Sequence, residues 1–530
     1  MAAIGERHRR TPRAVARGSA WRRPAGLGTA ALALAASVGA AVLSHPPYAV
    51  AGLGALALAP LVAVLDGASS RRAFALTWLW GVAMALVVTR WLLHALVVEY
   101  GAAPLASALF ALLLVGALAL VPAAAATLWA GVAPRLSDGA APLAFAALWT
   151  LGEWLRAVPL GVPWLLAAHP FAERPIALQL AELGGAHAVG FVATALAAAL
   201  GLAVRRASGW PLALPVLLAG AALAFGAWRL ADAEPAAAGA IRVGVVQASV
   251  PQDQRFRPGS AARNVERHVA ASRKLAGAGL DLLVWSETAV DIDLDRAAGL
   301  RARLEALAGE LGVPLVTGAP RSAGGRRTNS VVLFTPRAGL AESYDKQRLV
   351  PYSEYDPAAF AFLAPLLGPV TEGPPYVPGT RSTVFRAGPL PFATPVCFEI
   401  TYPELVRRFR ANGARLIVNL SNDAWFGPVG YPEMHLAHAV FRAIETGAWV
   451  VRGANTGISA AIDPRGRVVA KLAAFTEGSF VAEVAPAGAA PFYARHGDAP
   501  LLLALLAVLG LALVRRAPRR RGRLELPSRR

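Results

Sequence analysis

The stretch PLASALFALLLVGALALVPAAAATLWAGV, residues 104–132, contains no charged side chain. A helix needs about 20 apolar residues to cross the hydrocarbon core of a bilayer. This stretch is longer than that minimum, which leaves room for tilt, and Pro122 within it can kink the helix. The segment therefore indicates that part of the chain is embedded in a membrane.

Seven further apolar runs accompany this one. They cover residues 26–44, 47–65, 73–97, 140–158, 186–204, 210–229 and 499–514. Over all 530 residues, 56% are apolar and 16% are charged, whereas soluble proteins have about 45–50% apolar and about 25% charged residues. We therefore predict a multi-span α-helical membrane protein with about eight spans. Residues 159–185, apolar but broken by four prolines, are predicted to form an interfacial or re-entrant loop.

The net charge of +19 is concentrated at the two ends of the chain. Residues 1–23 carry a net charge of +6, and residues 499–530 carry +7. Basic residues that border membrane spans mark the cytoplasmic side, so both tails are predicted to be cytoplasmic. A nucleic-acid-binding arm is the alternative for such tails, and the adjoining apolar runs argue against it. The first run leads directly into others, so it is read as a retained span and not as a cleaved signal peptide.

Residues 240–498 have a different composition and alternate strand-like and helix-like segments. Strands are predicted near 241–250, 281–288, 313–319, 328–335, 341–350, 392–397, 416–420 and 449–452, and helices near 260–279, 296–311, 403–412 and 432–446. Such alternation is typical of a layered α/β domain. The predicted domains are a tail (1–23), a seven-span domain (24–239), the α/β domain (240–498), an eighth span (499–514) and a tail (515–530). An odd number of preceding spans places the α/β domain outside the cytoplasm.

Cys397 is the only cysteine, so no intramolecular disulfide can form. It ends the predicted strand 392–397 and precedes a helix whose start, TYPE at residues 401–404, fits a capping box. N–H groups at a helix start favour a thiolate and can hold an oxyanion. A buried structural thiol is the alternative, and the strand–cysteine–helix context favours a nucleophile.

Two other residues stand at the ends of predicted strands. Glu287 follows the apolar run LLVWS, where a carboxylate is costly unless it is paired, and where it can act as a base. Lys346 is one of only three lysines in a chain rich in arginine, which indicates that a compact amine is needed there. A solvated glutamate and an ordinary surface lysine are the alternatives when each residue is considered alone.

His435 and His438 lie one helical turn apart, a spacing that two metal ligands can use. No third ligand stands out in the sequence. We therefore predict neither a metal nor a cofactor.

Taken together, three stretches resemble the nitrilase superfamily, whose catalytic triad is Glu–Lys–Cys in that chain order. They are VWSET (284–288), DKQRLVP (345–351) and PVCFE (395–399). The resemblance implies an α-β-β-α sandwich, with Cys397 as nucleophile, Glu287 as general base and Lys346 stabilising the tetrahedral intermediate.

A nitrilase-like domain between seven spans and an eighth looks like the apolipoprotein N-acyltransferase family. LVPYSEY (349–355) is similar to the family stretch with a second essential glutamate, here Glu354. CFE (397–399), NDAWFG (422–427) and RGANTGIS (452–459) also match, which implies supporting roles for Phe398 and Glu399 and substrate contact for Trp425. The chain departs from the family at Ser353, usually glycine, and at Phe256, commonly tryptophan, another candidate for substrate contact.

The resemblance implies acyl transfer from a membrane phospholipid, with phosphatidylethanolamine expected, through a cysteine thioester. The acceptor would be the α-amine of the diacylglyceryl-cysteine at the N-terminus of a lipoprotein. A monomer in the bacterial inner membrane is implied, with the catalytic domain on the periplasmic side and no nucleic-acid partner. Apolar residues 360–367 could form a lid, and Arg90 or Arg156 could hold a lipid phosphate or simply anchor a span.

Two other functions fit parts of the sequence. A membrane-tethered amidase of the nitrilase type would not need seven preceding spans. A transporter with an inactive nitrilase-like domain would not need Glu287, Lys346 and Cys397 together.

Overall fold

The computed structural model describes residues 24–50, 52–231, 239–255, 257–323, 325–355, 375–388 and 390–514. The predictions for the two basic tails, for Phe256 and for the apolar stretch 360–367 lie outside these described residues.

Every apolar run before residue 240 contains helix. The α-helices of this part are Leu27–Ser44, Ala59–Leu65, Ser70–Val88, Arg90–His94, Pro104–Val132, Ala140–Ala157, Pro175–Leu178, Ala181–Arg206 and Ala213–Ala231. The run 47–65 is not one continuous helix, because Gly52 adopts a left-handed conformation and a separate 3-10 turn, Leu53–Ala55, precedes the helix Ala59–Leu65. The long helix continues through Pro122.

Five helical segments among the described residues are long and apolar enough to cross a membrane. They are Leu27–Ser44, Ser70–Val88, Pro104–Arg135, Ala181–Arg206 and Trp210–Ala231. The segments Leu53–Leu65 and Ala499–Val514 are apolar but shorter.

Two sheets form the core of the part that follows residue 240. Their strands are β1 (Ile241–Gln247), β2 (Leu282–Val284), β3 (Leu315–Ala323), β4 (Arg326–Thr335), β5 (Gly339–Asp345), β6 (Phe392–Ala393), β7 (Leu416–Ser421), β8 (Val450–Ala454), β9 (Ala460–Ile462), β10 (Val468–Lys471) and β11 (Gly478–Val484). One sheet has the order β11-β1-β2-β3-β4-β5, and the other has the order β10-β9-β8-β7-β6. Strands β1 to β3 are parallel to one another, as are β6 to β8.

The two sheets pack face to face between layers of helices. Val245 points into the core between the sheets, where it joins Val450 of the second sheet. Val246, its neighbour, points to the opposite face and packs with the helices Ser260–Arg273 and Ala298–Leu311, as the alternation of side chains along a strand requires. The helices Pro403–Ala411 and Tyr431–Thr446 cover the second sheet. The result is the predicted helix–sheet–sheet–helix sandwich.

The chain around the single cysteine differs from the prediction. The predicted strand 392–397 is only two residues long, and Cys397 instead opens a 3-10 helix, Cys397–Thr401. Pro395 has no N–H for a ladder, and Cys397 itself has φ +48°, which a strand does not accommodate. The predicted capping box is also absent, because Thr401 belongs to the 3-10 helix and its hydroxyl donates to the carbonyl of Phe398.

Aromatic side chains join the membrane-type helices to the sandwich. Trp91 contacts the rings of Phe426 and Tyr431. Trp164, in the proline-rich loop 159–174, contacts the ring of Tyr431. It also stacks on Phe398, with 6.3 Å between the ring centres. This aromatic junction places the loop directly beside the residue that follows Cys397.

Arg156 is buried and holds the same loop. Its side chain is buried, and its guanidinium donates to the carbonyls of Val162, Trp164 and Leu165. The suggestion that Arg156 holds a lipid phosphate is therefore wrong. Arg90 lies over the ring of Tyr48 with 5.7 Å between its guanidinium carbon and the ring centre.

Candidate active site

The sheet topology brings Glu287 and Lys346 to one edge of the first sheet. Glu287 follows β2 and Lys346 follows β5. These two strands run in the same direction, because β2 is parallel to β3 and the two antiparallel pairings that follow, β3 with β4 and β4 with β5, reverse the direction twice. Gly318 of β3 passes under Glu287, where a Cβ would lie 2.7 Å from the Cα of Glu287. Only glycine permits this approach, so the position of Glu287 depends on the residue at 318.

Lys346 lies between two carboxylates. Its ammonium nitrogen is 3.1 Å from Oε1 of Glu287 and 3.0 Å from Oε1 of Glu354, and it is 1% exposed. Burial alone would lower the pKa of Lys346, but the two carboxylates outweigh burial and hold that pKa well above its ordinary value. Lys346 is therefore a fixed positive charge.

Asn329 of β4 also contacts both carboxylates. Its side-chain amide donates to Glu287 Oε1 at 2.9 Å and to Glu354 Oε1 at 2.6 Å. Glu354 Oε2 accepts from the backbone N–H of Val350 at 2.7 Å. The sequence motifs do not single out Asn329, although an amide directly before the apolar run SVVLF, in what becomes a buried strand, is a usable signal.

The second oxygen of Glu287 is held by the other sheet. Glu287 Oε2 accepts from the backbone N–H of Asn422, which follows β7, at 2.9 Å. Asn455, which follows β8, donates to the side-chain oxygen of Asn422 at 3.0 Å. Glu287 therefore bridges the two sheets at the edge where Cys397 lies.

Cys397 is buried, with 4% of its surface exposed. Burial raises the pKa of its thiol, the charge of Glu287 raises it further, and Lys346 acts in the opposite direction. The prediction that the helix start favours a thiolate is wrong, because burial and Glu287 outweigh the positive groups. The resting group is a thiol, and it needs a base before it can attack.

Glu399 and Phe398 do not share one role. Glu399 is fully buried and accepts hydrogen bonds from the hydroxyl of Tyr344 and from the N–H groups of Gln347, Arg348 and Val396. It therefore ties the segment that carries Lys346 to the segment that carries Cys397. Burial raises the pKa of Glu399 to about 7. Phe398 packs at the aromatic junction, against Trp164 and Tyr402.

Trp425 also lies where the two parts of the chain meet. Its ring stacks on Tyr100 with 5.1 Å between centres, and the Tyr100 hydroxyl donates to Ser353 at 2.9 Å. Tyr100 therefore links Trp425 to Ser353, the residue before Glu354, on the side of the site that faces the helices. Phe256, the other candidate for substrate contact, lies outside the described residues.

The two histidines one turn apart do not form a pair. His435 Nε2 lies 3.1 Å from the carbonyl oxygen of Cys397, whereas His438 packs on His169, with 4.5 Å between ring centres. The sulfur of Cys397 and single ligand atoms of Asp423 and His435 lie within 4.8 Å of one another. However, Nη2 of Arg452 is 2.8 Å from Asp423 and 3.0 Å from His435, so a guanidinium already holds the place that a cation would need.

The arrangement can carry out nucleophilic acyl transfer. A buried carboxylate, a fixed ammonium and a thiol lie at the carboxyl ends of strands from two facing sheets. The carboxylate can accept the thiol proton, and the ammonium can stabilise negative charge on a tetrahedral intermediate.

Comparison with known proteins gives two family matches. The carbon-nitrogen hydrolase family matches residues 242–493. The apolipoprotein N-acyltransferase N-terminal domain matches residues 37–200. The two matches therefore cover both the sandwich and most of the helices that precede it.

Similar proteins match over almost the whole chain. An apolipoprotein N-acyltransferase of Azotobacter vinelandii is 35% identical over 92% of this chain and 95% of its own. An enzyme of the same name from Geobacter metallireducens is 32% identical over 89% of this chain and 92% of its own. Among solved structures, an amidase of the nitrilase superfamily from Nesterenkonia sp. AN1 is 20% identical, with a TM-score of 0.38 over 50% of this chain and 98% of its own.

Proposed function

The chain belongs to the apolipoprotein N-acyltransferase family, and from that premise we propose how its buried residues act. The enzyme is an acyltransferase. We propose that it moves an acyl chain from a phospholipid, with phosphatidylethanolamine as the donor, to the α-amine of a diacylglyceryl-cysteine at a lipoprotein N-terminus. The product is a triacylated lipoprotein.

In the first step, Glu287 accepts the proton of the Cys397 thiol while the sulfur attacks the ester carbonyl of the phospholipid. The negative charge that forms on the carbonyl oxygen lies near the ammonium of Lys346 and the N–H of Phe398. The carbon–oxygen bond then breaks, a thioester remains on Cys397, and the departing lysophospholipid oxygen takes the proton from Glu287.

In the second step, the α-amine of the lipoprotein attacks the thioester carbonyl. Glu287 accepts a proton from the attacking amine, the carbon–sulfur bond breaks, and the proton passes to the departing sulfur. Glu354 balances the charge of Lys346 and fixes its place, and Glu399 keeps the Lys346 and Cys397 segments together. No metal or cofactor is required by these steps.

The helices serve two lipid substrates. Moving one acyl CH₂ from a bilayer into water costs about 0.8 kcal/mol, so a donor with long chains must react while it remains in the membrane. We propose eight spans, seven within 24–239 and one over 499–514, with both tails in the cytoplasm. Residues 240–498 then face the periplasm of a bacterial inner membrane, and the enzyme acts as a monomer.

Substrate contacts are assigned to the side of the site that faces the helices. We propose that Trp425, which stacks on Tyr100, contacts lipid beside the aromatic junction. Phe256 is proposed as a further substrate contact.

The observation that carries the proposal is the contact of Lys346 with both Glu287 and Glu354 beside a buried thiol. A protonated thiol next to an anchored carboxylate fits an enzyme in which the base is engaged only when an ester is bound. It also explains why the thiol is buried at the end of a sheet and not exposed in a redox-sensitive loop.

The test compares wild-type protein with Cys397→Ala in detergent, supplied with phosphatidylethanolamine and a diacylated lipopeptide. Because Cys397 is the only cysteine, an acyl adduct that hydroxylamine releases at neutral pH is a thioester on Cys397. An adduct and an N-acylated peptide, both lost in the variant, support the transferase. An adduct that only water resolves would indicate an amidase-like hydrolase, and a folded protein without an adduct would exclude the thioester route.

A further inference from the structure

The carbonyl oxygen of Cys397 is held by two buried side chains that the steps above do not use. His435 Nε2 lies 3.1 Å from this oxygen, and the side-chain amide of Asn419 donates to it at 3.4 Å. The same amide donates to the carbonyl of Pro395 at 2.8 Å. His435 comes from the helix Tyr431–Thr446 and Asn419 from β7, so two elements of the second sheet layer converge on one peptide.

Both of these side chains are fixed by Arg452 of β8. Its Nη1 donates to Asn419 Oδ1 at 2.5 Å, and its Nη2 lies 3.0 Å from His435 Nδ1. Its Nε donates to the carbonyl of Ile458, and Nη2 also lies 3.0 Å from the hydroxyl of Ser421 and 2.8 Å from Oδ2 of Asp423. Arg452 is fully buried, so its planar, five-donor group sets the geometry of the whole cluster.

His435 can donate to the carbonyl in either protonation state. A carbonyl oxygen only accepts, so the proton of a neutral imidazole lies on Nε2, and Nδ1 accepts from Arg452. If His435 is protonated, Nδ1 donates to Asp423 Oδ1, which is also 3.0 Å away, and Nε2 still donates to the carbonyl. The contact with Cys397 therefore does not depend on a titration.

This contact matters because of where the peptide points. Cys397 has φ +48°. Residues other than glycine adopt this left-handed backbone conformation at a cost of about 1–3 kcal/mol, and only when their surroundings enforce it. A trans peptide is planar, so the N–H of Phe398 points opposite to the carbonyl of Cys397. Hydrogen bonds on that carbonyl therefore set the direction of the N–H.

We propose that His435 and Asn419, held by Arg452, are positioning residues that orient the Cys397–Phe398 peptide so that its N–H meets the oxyanion of the acyl-transfer intermediate. The proposal rests on the proposed function, because only acyl transfer forms this oxyanion. His435 and Asn419 touch no reacting atom and act through the backbone of the nucleophile.

Two reactions of the same sulfur separate this role from a general structural one. Formation of the acyl thioester passes through an oxyanion, whereas alkylation by iodoacetamide does not. In full-length His435→Phe, which keeps a ring but removes the donor, we expect thioester formation from phosphatidylethanolamine to fall by about 100-fold, as for the loss of an oxyanion donor. The rate of alkylation should stay near that of wild type. His435→Gln, whose amide keeps an N–H near the position of Nε2, should recover part of the acylation rate.

His438→Phe is the matched control, because His438 lies one turn further along the same helix, is equally buried and packs on His169 and Trp164. It should leave both reactions unchanged. Asn419→Asp is a second variant, in which an oxygen still faces Arg452 but the donor to Cys397 is gone, and its acylation should also fall selectively. If the His435→Phe protein does not fold, Asn419→Asp alone decides the question.

Acylation at the wild-type rate in either donor-less variant would overturn the proposal. So would an equal loss of acylation and alkylation, or an equal loss in His438→Phe, since these results indicate a structural role. If wild-type protein itself forms no thioester, the proposed function fails, and that outcome is distinct from the failure of the positioning role.

Discussion

The ammonium nitrogen of Lys346 lies 3.0 Å from Oε1 of Glu354, and both side chains are buried. Since Oε1 of Glu287 lies 3.1 Å from the same ammonium nitrogen, the cluster has two carboxylates for one positive charge. Lys346 therefore stays charged while it contacts both carboxylates. The two glutamates therefore have different roles, and the role of Glu354 can be tested by itself.

Replacing Glu354 by glutamine should slow thioester formation by about 10- to 100-fold, because a hydrogen bond to a charged group contributes about 1.5–3 kcal/mol and each 1.4 kcal/mol is tenfold. Loss of this carboxylate also lowers the pKa of Lys346, because fewer negative charges then oppose the effect of burial. The measurement is single-turnover acylation of Cys397 in detergent. Glu342→Gln, an exposed position on β5, is the control, and an equal loss there would contradict the assignment.

The pH dependence of alkylation should reveal which charge controls the thiol. Burial raises the pKa of Cys397 first, and the negative charge of Glu287 raises it further. Glu287→Gln removes that charge, so the pKa of the thiol should fall and the midpoint of iodoacetamide alkylation should move to lower pH. Acyl transfer should nevertheless fall by about 10²- to 10⁴-fold, because the base is lost. A midpoint that moves to higher pH would contradict this account of the site.

Gly318 should tolerate no side chain. A Cβ there would lie 2.4 Å from the backbone nitrogen of Thr288 and would push the segment that carries Glu287. We expect Gly318→Ala to lower the free energy of unfolding by about 1–3 kcal/mol and to slow acylation by up to about 100-fold if Glu287 shifts by 1 Å. Gly309→Ala, where a Cβ meets nothing within 4 Å on a helix, should stabilise the protein slightly. Thermal unfolding and acylation rates measured on both variants check the prediction.

Arg156 should stabilise the loop 159–174 and should not bind the lipid headgroup. Arg156→Met leaves the carbonyls of Val162, Trp164 and Leu165 without their common donor, at a cost of about 1–3 kcal/mol for a buried polar group left unpaired. We expect a lower unfolding temperature and slower acylation, because Trp164 packs beside Phe398. Arg174→Met, exposed in the neighbouring turn, should change neither. A raised KM for phospholipid with unchanged stability would instead support a phosphate-binding role.

The residues that follow strands were the most predictable part of the site. Glu287 and Lys346 each follow a strand, and the sheet topology brings them together. Cys397 was predicted at a strand end as well, although it opens a 3-10 helix beyond β6. The layered α/β domain was predictable for a related reason, because continuous apolar runs of strand length are typical of buried strands, as β1, β4 and β7 are.

Contacts across the two sheets were not predictable from local patterns. His435 and His438 have the same helical environment in sequence, yet only His435 reaches the carbonyl of Cys397. The capping box at 401–404 failed because the preceding 3-10 helix had already engaged Thr401. Arg156 has the sequence context of a lipid anchor, and only the fold shows that loop carbonyls surround it.

The aromatic junction also bears on the order in which the protein is made. Trp91 and Trp164 belong to the part of the chain that leaves the ribosome first, and domains generally fold in that order. The rings of Phe398, Phe426 and Tyr431 that they cover are synthesised later. The helices are thus already folded when the sandwich is synthesised, and the sandwich can pack against their aromatic side chains as it folds. A sandwich produced without them would expose this face to water, which makes a soluble fragment a poor substitute for the intact enzyme.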